Sequence, residues 1–257
     1  MATKAYFHLT EMTSEIKDRC RNCACPSEGN YCLQCGQKSN IKRISFKEIG
    51  EQVSSTVFNL EAPFYRTFKG LIIRPGDLIQ DFLRGKRKAY YKPVPYYILA
   101  VAIHLLLGYL IGYDPIQAVI DSTGGENQMS EVERKASYWM ARNVNYILPV
   151  WILIISLMDR LFFWRSGTNL AERVTVYLFL TGQYVFLNTL LIPLIKLQPY
   201  FQMVDYLVVF SYMTYAILKF HGGGWWAGLR AFLLAFLSFV LYVVLMNVVL
   251  ITWFSYF

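Results

Sequence analysis

The stretch Arg74-Pro-Gly-Asp-Leu-Ile-Gln-Asp-Phe-Leu-Arg-Gly-Lys-Arg-Lys-Ala-Tyr-Tyr-Lys-Pro93 divides the chain into two unlike parts. Before it the sequence is polar and holds all five cysteines; after it come apolar runs long enough to cross a bilayer. The stretch passes from an amphipathic run, through the basic Gly85-Lys86-Arg87-Lys88, to paired tyrosines, Lys92 and Pro93. That order suits a chain descending from the cytosol through lipid head groups into hydrocarbon, with cations at the phosphates and tyrosines at the interface.

Composition agrees. A chain that is 55% hydrophobic and 17% aromatic is not an ordinary soluble domain. The basic excess is uneven: residues 1–95 carry 16 Lys+Arg against 9 Asp+Glu, and residues 96–257 carry 9 against 8. A basic third on an apolar body points to anionic lipid rather than to nucleic acid. Residues 1–40 lack an apolar core segment, so no signal peptide is expected and the first membrane helix directs insertion.

About five spans are expected, at 95–113, 144–164, 172–195, 200–220 and 229–254. Between the first two lies a polar loop, 114–143, whose Glu131–Trp139 part reads as a surface helix. With the N-terminus inside, 21 Lys+Arg fall on the inner side and four on the outer, which predicts an N-in, C-out topology. The fold class expected is an all-α integral membrane protein. Residues 1–40 form a cytosolic metal module, 41–93 a basic amphipathic juxtamembrane linker, and 94–257 a transmembrane bundle.

In the module, Cys20-x-x-Cys23 and Cys32-x-x-Cys35 are separated by eight residues, the spacing of a small zinc ribbon or knuckle. Each pair turns tightly enough to aim both thiolates at one ion, and four soft sulfurs satisfy tetrahedral zinc. Cys20, Cys23, Cys32 and Cys35 are therefore the expected structural Zn2+ ligands. A disulfide framework or inert thiols are the alternatives, and a reducing cytosol disfavours the first. Cys25 is a fifth thiol: a spare, a redox-sensitive neighbour, or a replacement for Cys23 as ligand.

The linker reads as two or three short amphipathic helices, with Ser45 and Glu48 spaced for a capping box and Asp77 placed to meet a helix dipole after Pro75-Gly76. Its apolar positions and cations suit helices lying on the membrane surface. Lys86, Arg87, Lys88 and Lys92 are expected to contact lipid phosphates.

The pattern Cys-x-x-Cys … Cys32-x-x-Cys35-Gly36-Gln37, Thr67, Leu71, Arg74-Pro75-Gly76, Gly85-Lys86-Arg87, tyrosine and Pro93 resembles an uncharacterised bacterial membrane-protein family found mainly in the Bacteroidota. The resemblance covers about residues 20–95. It implies an N-terminal zinc-ribbon-like motif joined to a multi-pass region in the bacterial inner membrane, and it implies no activity. Cys25 departs from the pattern, in which glycine is usual soon after the second cysteine.

Within the spans, His104, Gln183 and Asn188 are the candidate polar site, either a track through the bundle or hydrogen-bonding glue between helices. Asp159-Arg160 and Glu172-Arg173 are expected to neutralise each other as neighbours, and Pro149 and Pro193 to kink their helices. There is no phosphate-cradling glycine loop, no H-E-x-x-H and no G-x-S-x-G, so no enzyme is expected. The function expected is a non-enzymatic membrane scaffold or regulator whose zinc module docks a cytosolic or membrane protein, or the anionic membrane surface. The alternative is a transporter or lipid-handling bundle with a polar site near His104 and Gln183.

Overall fold

The structure of the protein, a computed structural model, describes residues 19–26, 29–49, 62–114, 130–198 and 201–256. Residues 46–49 form one helical turn. Then follow α1 (Ala62–Ile73), α2 (Pro75–Leu83), α3 (Pro93–Ile111), α4 (Glu131–Arg142), α5 (Val144–Phe162), a tight turn Trp164–Ser166, α6 (Leu170–Leu197), α7 (Phe201–His221) and α8 (Trp225–Tyr256). Local chemistry sets several of these boundaries. Pro75 opens α2 and Pro93 opens α3, where a missing N–H costs nothing and φ is already helical. Gly112, at φ 66°, closes α3 in the left-handed conformation. Ser130 with Glu133, and Asn169 with Glu172, complete capping boxes at the starts of α4 and α6.

Helix α6 is the axis of the molecule. Every residue from Ala171 to Gln183 is buried, so this helix is surrounded rather than one-sided. Helix α3 runs parallel to its C-terminal half: Tyr96 donates to Gln183, His104 Nδ1 lies 3.1 Å from Thr189 Oγ1, and Lys196 Nζ donates to the Ile111 carbonyl. The two helices approach closely at Gly182, where a Cβ would sit 3.2 Å from Tyr97 Cα. Two parallel neighbours require a return between them. Helix α5 supplies it, with Asp159 beside Arg173 and Trp151 beside Tyr184. Helix α7 then runs antiparallel to α6, from Asp205 beside Asn188 to His221 beside Asp159. Helix α8 runs back along α5 and α7 through Ser238–Trp151 and Phe239–Phe210.

Among the described residues four helices, α3, α6, α7 and α8, are long and apolar enough to cross a membrane. The remaining expected span, 144–164, is the 19-residue α5. Helix α8 exposes Leu229, Phe232, Leu237, Val244, Val248 and Trp253 along its length, a stripe that hydrocarbon covers in a bilayer. The fold class expected from the sequence is the one observed. Pro149 and Pro193 both lie inside continuous helices. The surface helix expected at 131–139 is α4, which packs on α8.

Helices α1 and α2 form a hairpin wedged into this bundle. Phe64 and Phe68 meet the Phe186 ring, and Phe82 meets Phe179. Tyr212 and Tyr215 of α7 donate to the Leu71 and Ile73 carbonyls, and Gln80 donates to Phe220 O at the end of α7. Each bond satisfies a helix-terminal carbonyl that would otherwise lack a donor. At the tip, Gly76 lies against the α7 backbone so closely that a Cβ would sit 2.1 Å from Lys219 O. The Arg74-Pro75-Gly76 motif is thus a proline start followed by the one residue that lets two backbones touch.

Candidate functional site

The two Cys-x-x-Cys segments fold into the same turn. In the first, Cys20 N donates to Cys25 O and Ala24 N to Cys20 O, both at 2.8 Å; in the second, Cys32 N donates to Gln37 O and Gly36 N to Cys32 O, again at 2.8 Å. Isolated antiparallel bridges, Arg19 with Pro26 and Tyr31 with Lys38, close each turn. Ala24 is therefore the counterpart of Gly36, and both take the left-handed conformation, at φ 62° and 68°. Alanine pays for that geometry in steric strain; glycine does not. The first turn thus holds a non-glycine residue at the position that glycine takes in the second.

The four sulfurs of Cys20, Cys23, Cys32 and Cys35 all lie within 4.8 Å of one another, with Cys20 and Cys35 at 3.5 Å and Cys23 and Cys32 at 3.6 Å. Tetrahedral zinc with thiolates sets sulfur–sulfur distances near ~3.8 Å. All five cysteines are free thiols. The Cys35 backbone N–H aimed at Cys32 lowers that thiol against the effect of burial. Burial raises Cys35, but the Gln37 N–H, Asn22 and the neighbouring sulfurs outweigh it and bring the thiol down to about 7. Cys23 is raised instead: the Cys25 N–H lowers it, and burial with the three other sulfurs outweighs that. Four sulfurs this close cannot all carry charge without a cation among them, so the donor set fits a metal ion. Cys25 stands outside the set, its thiol donating to Gln34 Oε1 and lying 3.6 Å from Cys23 O.

The knuckle touches the bundle at few points. Lys88 N donates to Gln37 Oε1 at 3.0 Å, and the Arg21 side chain lies over Gly85. Farther on, Arg43 grips Glu172 with two bonds of 2.8 and 2.7 Å, Asn169 donates to Ile44 O, and Ile44 is buried in the core. The rest of the knuckle faces outward: Leu33 is 99% exposed, Tyr31 60%, and Phe46 on the following turn 54%.

The four collar cations have different surroundings. Arg87 pairs with Glu48 and donates to Lys42 O, and Lys86 pairs with Asp81 at 2.9 Å. Lys88 and Lys92 are exposed. Burial pulls the Arg87 guanidinium down, opposed by Glu48. Because the Glu48 carboxylate goes to Arg87, the expected capping box is half formed, with a single 3.4 Å bond from Glu48 N to Ser45 Oγ.

The three intramembrane candidates have separate partners. His104 meets Thr189, Gln183 meets Tyr96, and Asn188 donates to Asp205, which also accepts from Tyr184. The neighbouring charges pair differently from the sequence expectation. Asp159 bonds Arg173 and His221, not Arg160, and Glu172 bonds Arg43, not Arg173. Side chains on adjacent residues point to different helix faces, whereas the ends of α5, α6 and α7 bring residues distant in sequence into contact. The Asp159 and Arg173 side chains are 1% exposed, and the arginine also donates to Phe163 O and Ser166 Oγ. This cluster was missed because its three members stand on three helices; its one signal was an acidic residue ending one span and an arginine opening the next.

The fold and the cysteine cluster define an all-α membrane protein able to hold a metal ion at one end of its bundle. Residues 61–105 match the family model described as "Protein of unknown function (DUF3667)". That match spans the α1–α2 hairpin, the collar and the first part of α3, and leaves the cysteines outside it. No curated protein sequence and no solved structure matches the chain.

Proposed function

We propose that the protein is a non-enzymatic scaffold of the bacterial inner membrane whose cytosolic zinc knuckle presents an apolar tip to a protein partner. Cys20, Cys23, Cys32 and Cys35 hold Zn2+, which supplies the folding energy that so short a segment cannot draw from a core. The bundle crosses five times, α5 included, with the N-terminus in the cytosol, where thiolates stay reduced. Lys88 and Lys92 face anionic head groups. The observation that carries the reading is Leu33, 99% exposed between two expected ligands, with Tyr31 beside it. An apolar tip held rigidly by a metal is suited to fill a pocket on a partner.

The test is mass spectrometry of what copurifies in mild detergent with wild type, Leu33→Asp and the double Cys32→Ser/Cys35→Ser variant, with zinc measured in each. A stoichiometric protein lost from both variants, with zinc kept by Leu33→Asp, is the expected result. A partner retained by both overturns the docking role. The alternative of transport or lipid handling draws on the Asp205–Asn188–Tyr184 cluster, and copurifying lipid or small molecule without any protein would favour it.

A further inference from the structure

The exposed face of α1 carries a groove of about 390 Å³ lined by Tyr65, Arg66, Lys69, Gly70, Ile73 and Arg74. Three of the six are cations and none is acidic. Among the described residues, no ion pair includes Arg66, Lys69 or Arg74. Three like charges around one concavity repel each other unless an anion enters it. Position 70 is glycine because α1 lies hard against α2 behind the groove: a Cβ there would meet the buried Leu78 Cδ1 at 2.5 Å.

Its surroundings are apolar. Ile72 and Ile73 are 41% and 60% exposed beside the cations, and Tyr65 is 67% exposed. The helix end that bears the groove is fixed to α7, a candidate span, through Tyr212 and Tyr215. At 1.5 Å per residue those tyrosines lie roughly 9–13 Å inside the end of α7 at His221. A basic concavity set slightly inward from a bundle end, flanked by exposed isoleucines, matches a phosphate with acyl chains attached better than a free anion.

We infer that this groove binds the phosphate head group of an anionic membrane lipid, with Arg66, Lys69 and Arg74 around the phosphate and Ile72 and Ile73 along the chains. The inference rests on the membrane reading above, but not on the knuckle or its partner. It places specific lipid recognition in the hairpin rather than in the Lys86–Lys92 collar.

The test uses the full-length protein in zwitterionic detergent micelles titrated with fluorescent phosphatidylglycerol, with phosphatidylcholine as control lipid and glycerol 3-phosphate as soluble competitor. The variants are Arg66→Gln/Lys69→Gln/Arg74→Gln, the single Lys69→Gln, and the collar pair Lys88→Gln/Lys92→Gln. Each cation near a phosphate accounts for about fivefold in affinity, so the triple variant should bind phosphatidylglycerol about a hundredfold more weakly and the single about fivefold. The collar pair, whose cations face head groups without lining the groove, should lose less affinity than the single Lys69→Gln variant, and glycerol 3-phosphate should not displace the lipid. If the triple variant loses its fold, as monitored by thermal unfolding, the single variant decides. Unchanged affinity in the single variant overturns the inference, as does loss only in the collar pair. Equal binding of glycerol 3-phosphate overturns the lipid assignment. Zinc content and partner capture are unaffected by any of these outcomes, so failure here is separable from failure of the scaffold reading.

Discussion

The knuckle and the α1–α2 hairpin are both short segments at the same end of the molecule, and they are held by opposite means. The knuckle buries little beyond Cys20, Cys32 and Gln37, and its order comes from four sulfurs converging on one point. The hairpin has no such centre. It is held by complementary shape and by carbonyls matched to donors on α7, down to the backbone contact at Gly76. One should therefore fail all at once when a ligand is lost, and the other in proportion to the damage.

The largest effect expected is on the knuckle. Structural zinc sites are worth ~10–16 kcal/mol of apparent binding free energy, so Cys32→Ser should release the metal and expose residues 19–49 to protease, while the helical signal by circular dichroism stays near wild type. A parallel loss of helix would break the comparison by making the knuckle part of the bundle. Acidification should act similarly. Cys32 and Cys35 are held below the usual thiol range, so their contribution is present above their pKa and lost as pH falls through it. A bound cation lowers them further, so zinc should remain at pH 7 and leave only below it, as followed by a chromogenic chelator. Release at pH 7 would contradict the site.

Next is Asp159→Asn, which leaves Arg173 and His221 without their shared carboxylate at the junction of α5, α6 and α7. Removing one member of a buried ion pair costs about 3–5 kcal/mol, to be read as lowered thermal stability in detergent with zinc content unchanged. Gly76→Ala should cost about 1–3 kcal/mol or more through the clash with Lys219 O. A neutral result would mean that the hairpin is free to shift off α7. Smallest is Ala24→Gly, expected to strengthen the knuckle by about 1 kcal/mol by removing a left-handed alanine, seen as slower zinc transfer to a chelator. Faster transfer would show that the first turn needs its side chain.

What the sequence made legible was whatever repeats or runs along the chain. Two Cys-x-x-Cys pairs at matched spacing gave the thiol cluster, and long apolar runs gave the helices to within a few residues of their ends. The capping residues of α4 and α6 were also there to read in the sequence. What it hid were pairings across helices. Asp159 stands next to Arg160 in the chain but bonds Arg173 and His221, and nothing in linear order marks that choice. Gly76 was legible as a turn former, yet its main role is contact with a backbone over 140 residues away. The groove on α1 was invisible for a similar reason: Arg66, Lys69 and Arg74 are ordinary linker cations until the fold sets them around one concavity.

The seat of the hairpin has a consequence for biogenesis. Its anchoring donors and acceptors on α7 are made 140 to 142 residues after their hairpin partners. At ribosomal rates of roughly 5–20 residues per second, the hairpin waits on the order of ten seconds for its dock to be synthesised. During that interval Leu71, Leu78, Ile79 and Phe82, all fully buried in the finished fold, have no α7 to cover them. Nascent chains arrested before Phe201 should thus be cleaved by protease within residues 62–83, and chains arrested well beyond His221 should not. The N-terminal third of this protein is translated first and finished among the last.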